Sequence, residues 1–206
     1  MKKIILIVAT VLLTVACSKD EDIPPYHNPF PFPSFLMVGN SWTYDLIIGG
    51  EHPTDEYTLS IVNKKDTIID FINYFAYYYH YSEGNNWVLF LATDETVLDG
   101  DYEVSLFWKN YTVGKKWEKD FSHIAAGPRK IERKVISINE TVTVPAGTFN
   151  NCIKIKNTEY FDVGGEELSS QVSYFWVRND IGIIKEEKGE GTWRSELKSF
   201  YVMMPD

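Results

Sequence analysis

Cysteine is nearly absent from this chain: 206 residues contain only Cys17 and Cys152, so no disulfide framework can be built. Histidine is scarce too, at four: His27, His52, His80 and His123. None stands at metal-ligand spacing to another, and H-E-x-x-H and C-x-x-C are missing. There is no G-x-S-x-G elbow and no phosphate-binding P-loop. His80 as a general base would need a hydroxyl or carboxylate brought to it by the fold. Basic residues number 20 against 29 acidic ones, a net charge of -9, with no basic stripe interleaved with aromatics. Such a surface repels phosphate backbones, which argues against nucleic acid as a partner. No apolar run approaches the roughly 20 residues needed to cross a bilayer as a helix. No window carries a capped helical stripe. These absences leave no catalytic constellation, no metal site and no cofactor signature, so the expectation is a non-enzymatic protein.

What the chain does have begins at its start. Lys2 and Lys3 precede the apolar run Ile4 to Val15, the charged and hydrophobic regions of an export signal. Leu13-Thr14-Val15-Ala16-Cys17 resembles a lipobox, in which small residues precede a cysteine that is acylated and becomes the new N-terminus. Thr14 departs from the commonest pattern, which has Leu there. Residues 1–16 therefore read as a lipoprotein signal peptide and Cys17 as the lipidated residue; plain secretory cleavage after Ala16 is the other reading. Several acyl chains together anchor a protein stably, at about 0.8 kcal/mol per buried methylene. Removal of Lys2 and Lys3 leaves 18 basic against 29 acidic residues, or -11. Cys152, flanked by Ile153, then has no intrachain partner and reads as a small buried thiol.

Ser18-Lys19-Asp20-Glu21-Asp22 resembles the acidic export signal of Bacteroidetes-type lipoproteins sent to the outer face of the outer membrane. The resemblance implies a lipid anchor in the outer membrane facing the cell exterior; a solvated spacer on the periplasmic face is the alternative. Residues 17–35 form an acidic, proline-rich linker with five of the nine prolines. Fully extended it would reach roughly 50 Å. Its Phe-Pro end, with Phe30 and Phe32, either stays extended or docks on the domain.

From residue 36 to 206 the pattern is short period-two runs broken by turns about every ten residues. The 31 aromatic residues suit a pleated surface. Strands are expected at Ser41–Ile48, Glu56–Asn63, Phe75–Ser82, Trp87–Ala92, Tyr102–Trp108 and Trp117–His123. Others are expected at Lys130–Ile138, Glu140–Val144, Asn151–Phe161, Ser170–Arg178, Ile181–Glu187 and Trp193–Val202, with a charged turn at Lys64-Lys65-Asp66. The fold class is all-β: a single antiparallel meander domain of ten to twelve strands, closing as a curved sheet or open half-barrel, with a β-sandwich as the alternative. Val38-Gly39-Asn40-Ser41-Trp42 and Val113-Gly114-Lys115-Lys116-Trp117 share the form V-G-x-x-W. Two similar halves of one sheet and convergent turn chemistry both account for that echo.

Gly39-Asn40-Ser41-Trp42-Thr43-Tyr44 and Val142-Thr143-Val144-Pro145-Ala146-Gly147-Thr148-Phe149-Asn150-Asn151-Cys152 resemble the G-x-x-W-x-Y and V-x-V-P-A-G-T-F-x-x-C segments of small Bacteroidetes-type outer-membrane lipoproteins. Tyr174 to Lys185 is similar to the closing strand pair of that group, with Asp180 at a usual glycine. The resemblance implies a curved sheet, loosely similar to Lol-type lipoproteins, and no activity. Physically, Pro145 ends a strand, Gly147 turns the chain with positive φ, and Phe149 enters the core.

The aromatic strand is the candidate binding surface. Tyr74, Tyr78 and His80 fall on one face, and Tyr77, Tyr79 and Tyr81 on the other, with Trp87 nearby. One face must be core, leaving the other for an apolar ligand, glycan or peptide. The alternative partner is an outer-membrane protein on which the domain docks. Asp66-Thr67-Ile68 resembles an O-glycosylation acceptor of exported Bacteroidetes proteins, with Thr67 as the modified residue. Asp94, Glu95, Asp99, Asp101 and Glu103 have oxygen ligands at a spacing that could hold Ca²⁺ in a loop, but the match to a calcium loop is poor, and a solvated turn is the other reading.

Overall fold

The computed structural model describes residues 26–27, 34–69, 72–81, 87–99, 104–121, 127–162, 168–189 and 191–203. It is all-β, with strands β1 (Tyr26–His27), β2 (Ser41–Ile48), β3 (Asp55–Ile69), β4 (Ile72–Tyr81), β5 (Trp87–Ala92), β6 (Thr96–Asp99) and β7 (Val104–Trp108). Then come β8 (Asn110–Tyr111), β9 (Lys116–Asp120), β10 (Lys130–Val144), β11 (Gly147–Asp162), β12 (Leu168–Arg178), β13 (Gly182–Lys188) and β14 (Trp193–Tyr201). Twelve of them form one antiparallel sheet in the order 7-6-5-4-3-2-14-13-12-11-10-9. Two six-stranded meanders, β2–β7 and β9–β14, thus meet where β2 pairs with β14. The antiparallel meander and the strand number agree with the sequence expectation.

The sheet curls until its two edges face each other. Among the described residues no ladder joins β7 to β9; side chains bridge them instead. Trp117 Nε1 donates to the Ser105 carbonyl at 2.8 Å, and Arg133 Nη1 donates to the carbonyls of Val104 and Ser105 at 3.2 and 2.8 Å. Trp108 and Trp117 pack edge to face at 5.9 Å. Carbonyls of the edge strand β7 thereby gain side-chain donors from the facing half.

The V-G-x-x-W echo is a repeated corner. Gly39 N donates to Ile61 O and Ile61 N to Asn40 O, at 2.8 Å each. In the other half, Gly114 N donates to Val135 O at 3.0 Å and Val135 N to Lys115 O at 2.9 Å. A β-bulge lies just beyond each corner, between Ile61 and Asn63 and between Val135 and Ser137. The bulged residues Val62 and Ile136 are both exposed. Each corner tryptophan sends its indole N–H to a backbone carbonyl, Trp42 to Ile181 and Trp117 to Ser105. Such shared detail favours two related halves over chance turn chemistry.

Three expectations about strand ends need correction. Lys64-Lys65-Asp66 is not a turn: β3 runs through it to Ile69, paired with β4, and the three residues are simply exposed. Lys130–Ile138 and Glu140–Val144 are one strand, because bulges absorb the break at Asn139 that period-two reading takes for an end. Thr96–Asp99 is a strand where only loop was expected.

One end of the curled sheet is shut. Ser34, Phe35 and Leu36 are buried, and Phe35 packs on Phe107 at 4.6 Å and edge-on to Trp42 at 6.2 Å. Gly182 sits against this pair with φ +110; a Cβ there would meet Phe35 at 3.5 Å in a backbone conformation that side chains avoid. The β10–β11 hairpin bends at its bulges and docks beside the plug: Ala146 N donates to Leu197 O at 2.9 Å, and Phe149 meets Phe200. Gly147 turns that hairpin with φ +131, as the sequence motif suggests. The backbone of Tyr26–His27 pairs with Asn110–Tyr111.

Candidate functional site

Strand registry decides what the inside of the curled sheet contains. Alternate residues point inward, so Trp42 and Tyr44 of β2 share the interior with Tyr57, Leu59 and Ile61 of β3, which they oppose or neighbour. On β10 and β11 the inward rows are Ile131, Arg133, Val135 and Ile153, Ile155, Asn157, Glu159. On β12 and β13, Ser173 and Phe175 lie opposite Lys188 and Glu186, and Glu186 lies opposite Ser195 of β14.

The result is a cup. A cavity of about 220 Å³ is lined by Tyr44, Tyr57, Leu59, Phe90, Leu106, Ile131, Arg133, Glu159, Phe175, Ile183, Glu186, Lys188 and Ser195. Beneath it, towards the plug, lies a tight apolar void of about 20 Å³ that shares Tyr44, Leu59, Phe90 and Ile183 and adds Phe35, Trp42, Ile61, Phe107 and Gly182. That void has room for about one water. Base residues such as Phe35 and Ile61 are fully enclosed, whereas Lys188 keeps 36% of its side chain exposed. The cup therefore grades from an apolar base to a charged mouth.

The polar groups of the mouth hold one another. Arg133, itself buried, donates Nε to Asn157 Oδ1 at 3.0 Å and sits 5.7 Å from the Phe175 ring centroid. Asn157 Nδ2 donates to Glu159 Oε1 at 3.0 Å and to Ser173 Oγ at 3.2 Å. Lys188 pairs with Glu186 at 3.3 Å, and its ammonium lies 4.8 Å from the Trp193 ring centroid. Tyr57 OH and Ser195 Oγ share a hydrogen bond of 2.7 Å, and Tyr44 OH donates to Ile183 O. Burial raises the Glu186 pKa above the ordinary carboxylate value, against the pull of Lys188.

The candidates named from the sequence fall elsewhere. Cys17 lies outside the described residues, as does the whole 1–16 segment. The backbones of Tyr74, Tyr77, Tyr78, Tyr79, His80 and Tyr81 run in β4, with Trp87 of β5 opposite His80. Their side chains lie outside the described residues. Thr67 sits half-buried on β3 opposite Tyr74, between exposed Asp66 and exposed Ile68. Glu95 pairs with Lys109 at 3.5 Å, and among the described residues no group of three His, Cys, Asp or Glu could hold a metal ion. Cys152 is buried, and desolvation pushes its thiol up to about 11, which keeps it protonated and inert at neutral pH.

Sequence reasoning missed Arg133, Glu159, Glu186 and Lys188. Their signal was a charge standing at an inward position: Arg133 alternates with Ile131 and Val135, and Glu159 continues the row of Ile153 and Ile155. A charge on an apolar row marks either a strand end or a polar interior.

Residues 118–195 match the DUF3108-like family model. The match runs from β9 into β14 and contains all four charged residues of the cup. A structure from Parabacteroides distasonis ATCC 8503, described as a "putative lipoprotein", is similar at 13% identity, covering 84% of this chain and 99% of that one with a TM-score of 0.53. A second, from Bacteroides fragilis NCTC 9343 and described as a "putative exported protein with YmcC-like fold", is 16% identical, covers 84% of this chain and 98% of that one, and has a TM-score of 0.50. These likenesses show the fold. No curated protein matches the chain.

Proposed function

We propose that this chain is an exported lipoprotein, anchored through Cys17 in the outer membrane and facing the cell exterior, whose non-catalytic β-domain holds a small amphipathic ligand in its cup. The observation that carries the reading is the cavity of about 220 Å³ with an apolar base and a charged mouth. Ligand sites are concave, mostly apolar and fitted with a few placed polar groups. The descriptions of the two structural neighbours, one a lipoprotein and one an exported protein, support export and a lipid anchor. The aromatic strand β4 belongs to this reading as a flank, since its neighbours β3 and β5 contribute Leu59 and Phe90 to the cup. Native mass spectrometry of the full chain in lipid nanodiscs should find a small molecule retained by the wild type and lost when Leu106→Trp fills the cavity. An empty wild-type protein that also leaves an added amphipathic fluorophore unbound would sink the reading.

A second reading, docking on an outer-membrane protein, has its own observation. Val62 and Ile68 of β3 are exposed, Ile68 at 69%. The wild type should then copurify with a membrane partner that Ile68→Lys fails to retain; equal retention by both would remove this reading. Modification of Thr67 concerns the same stretch, where the half-buried threonine stands between exposed Asp66 and Ile68, and intact mass without a hexose increment would exclude it.

A further inference from the structure

Resting on the ligand reading above, the charges of the cup say what kind of head group it takes. Four ionisable side chains of opposed sign line the cavity: Arg133 and Lys188 against Glu159 and Glu186. Among the described residues its lining holds no further formal charge. With both glutamates ionised the four sum to zero, and they are already engaged with one another: Lys188 with Glu186, and Arg133 with Glu159 through Asn157. A head group that brought a net charge into this space would give up its hydration and find no uncompensated counter-charge. A head group of hydroxyls meets no such cost. Each hydroxyl both donates and accepts, so it can donate to a Glu159 or Glu186 carboxylate and accept from Lys188, and the Tyr57–Ser195 hydroxyl pair offers both roles again. The void below the cavity, at about 20 Å³, is too tight for a long chain. The apolar part must be short and lie against Leu106, Ile131 and Phe175.

We propose that the cup selects a short-chain amphiphile with an uncharged, hydroxyl-rich head, of the alkyl glycoside class, against anionic and cationic amphiphiles of the same chain length. The balance of Arg133 and Lys188 against Glu159 and Glu186 is the selecting feature.

Titration calorimetry with the full chain in nanodiscs at pH 8, corrected for empty nanodiscs, tests it with hexyl glucoside, hexyl sulfate and hexylammonium. The glucoside should bind at least tenfold more tightly than either ion. Glu186→Gln, which leaves the band one positive charge in excess, should move the preference towards hexyl sulfate. Lys188→Met, which leaves it one negative charge in excess, should move it towards hexylammonium. Equal binding of all three probes to the wild type, or tightest binding of either ion, overturns the charge-balance rule while leaving a ligand cup in place. Absence of binding by all three, together with an empty protein in native mass spectrometry, overturns the ligand reading and this inference with it.

Discussion

The curled sheet has two seams, and they are closed by different physics. At one, β14 and β2 pair through a backbone ladder from Trp193–Ile48 to Tyr201–Ser41. At the other, β7 and β9 face each other without a ladder among the described residues, and Arg133 and Trp117 reach across to carbonyls of Val104 and Ser105. The two halves enter their first strands by the same corner, so the difference lies in the strand that each corner touches. At the place where the first half carries Leu59, two residues before the corner contact at Ile61, the second half carries Arg133, two residues before Val135. An arginine with five donors can satisfy edge carbonyls that an aliphatic side chain cannot. The same guanidinium then appears inside the cup. Seam closure and cup chemistry are thus one design choice.

Breaking the side-chain seam should have the largest effect. Arg133→Leu puts the first half's residue into the second, takes the guanidinium donor from the Val104 carbonyl and Asn157 Oδ1, and leaves the Ser105 carbonyl to Trp117; a loss of about 3 kcal/mol in urea unfolding is expected. Amide exchange at Lys116–Asp120 should rise with it. A loss below about 1 kcal/mol would mean that packing alone holds the seam. The two corner tryptophans sharpen the contrast. Trp42 is buried with its indole 2.6 Å from Ile181 O, whereas Trp117 is only half-buried at the open seam. Trp42→Phe should cost about 2 kcal/mol and Trp117→Phe about 1 kcal/mol, by thermal or urea unfolding. Equal losses would erase the distinction between the seams.

The docked β10–β11 hairpin has no described equivalent in the β3–β4 hairpin, whose exposed Val62 to Asp66 stand clear of the core. Gly147→Ala strains the tip of the docked one without a clash, since open space surrounds it, and should cost about 1 kcal/mol. Stability unchanged in Gly147→Ala would show that the tip adapts freely. The smallest effect concerns Glu186. Its folded pKa is raised by burial, so the folded protein binds a proton more readily than the unfolded chain. Stability contributed by protonated Glu186 is present in acid and fades as pH rises from the ordinary carboxylate range through the raised value. Glu186→Gln should therefore gain melting temperature relative to wild type at pH 8 compared with pH 4; the opposite trend would assign the dominant role to the Lys188 pair.

Much of the fold was legible because a half-buried strand repeats every two residues. Ser41–Ile48 and Trp87–Ala92 were read to the residue, and the P-A-G-T-F corner turned where proline and glycine require. Bulges were not legible. An inserted residue at Asn139 imitates a strand end, and a run of charges at Lys64–Asp66 imitates a turn, because local patterning cannot see the partner strand that continues the ladder. The candidate site was less legible still. Glu186 belongs to the run Lys185-Glu186-Glu187-Lys188, which in sequence is an ordinary solvated strand.

By itself the sequence determined the class of architecture, the two V-G-x-x-W corners and the absence of familiar catalytic motifs, since each of these depends on residues close in the chain. Only the tertiary structure decided that the sheet curls into a cup, that Phe35 plugs its base, and that Arg133, Glu159, Glu186 and Lys188 face one another. Those relations join strands tens of residues apart, and long-range registry, which no local pattern encodes, sets which side chains share the interior.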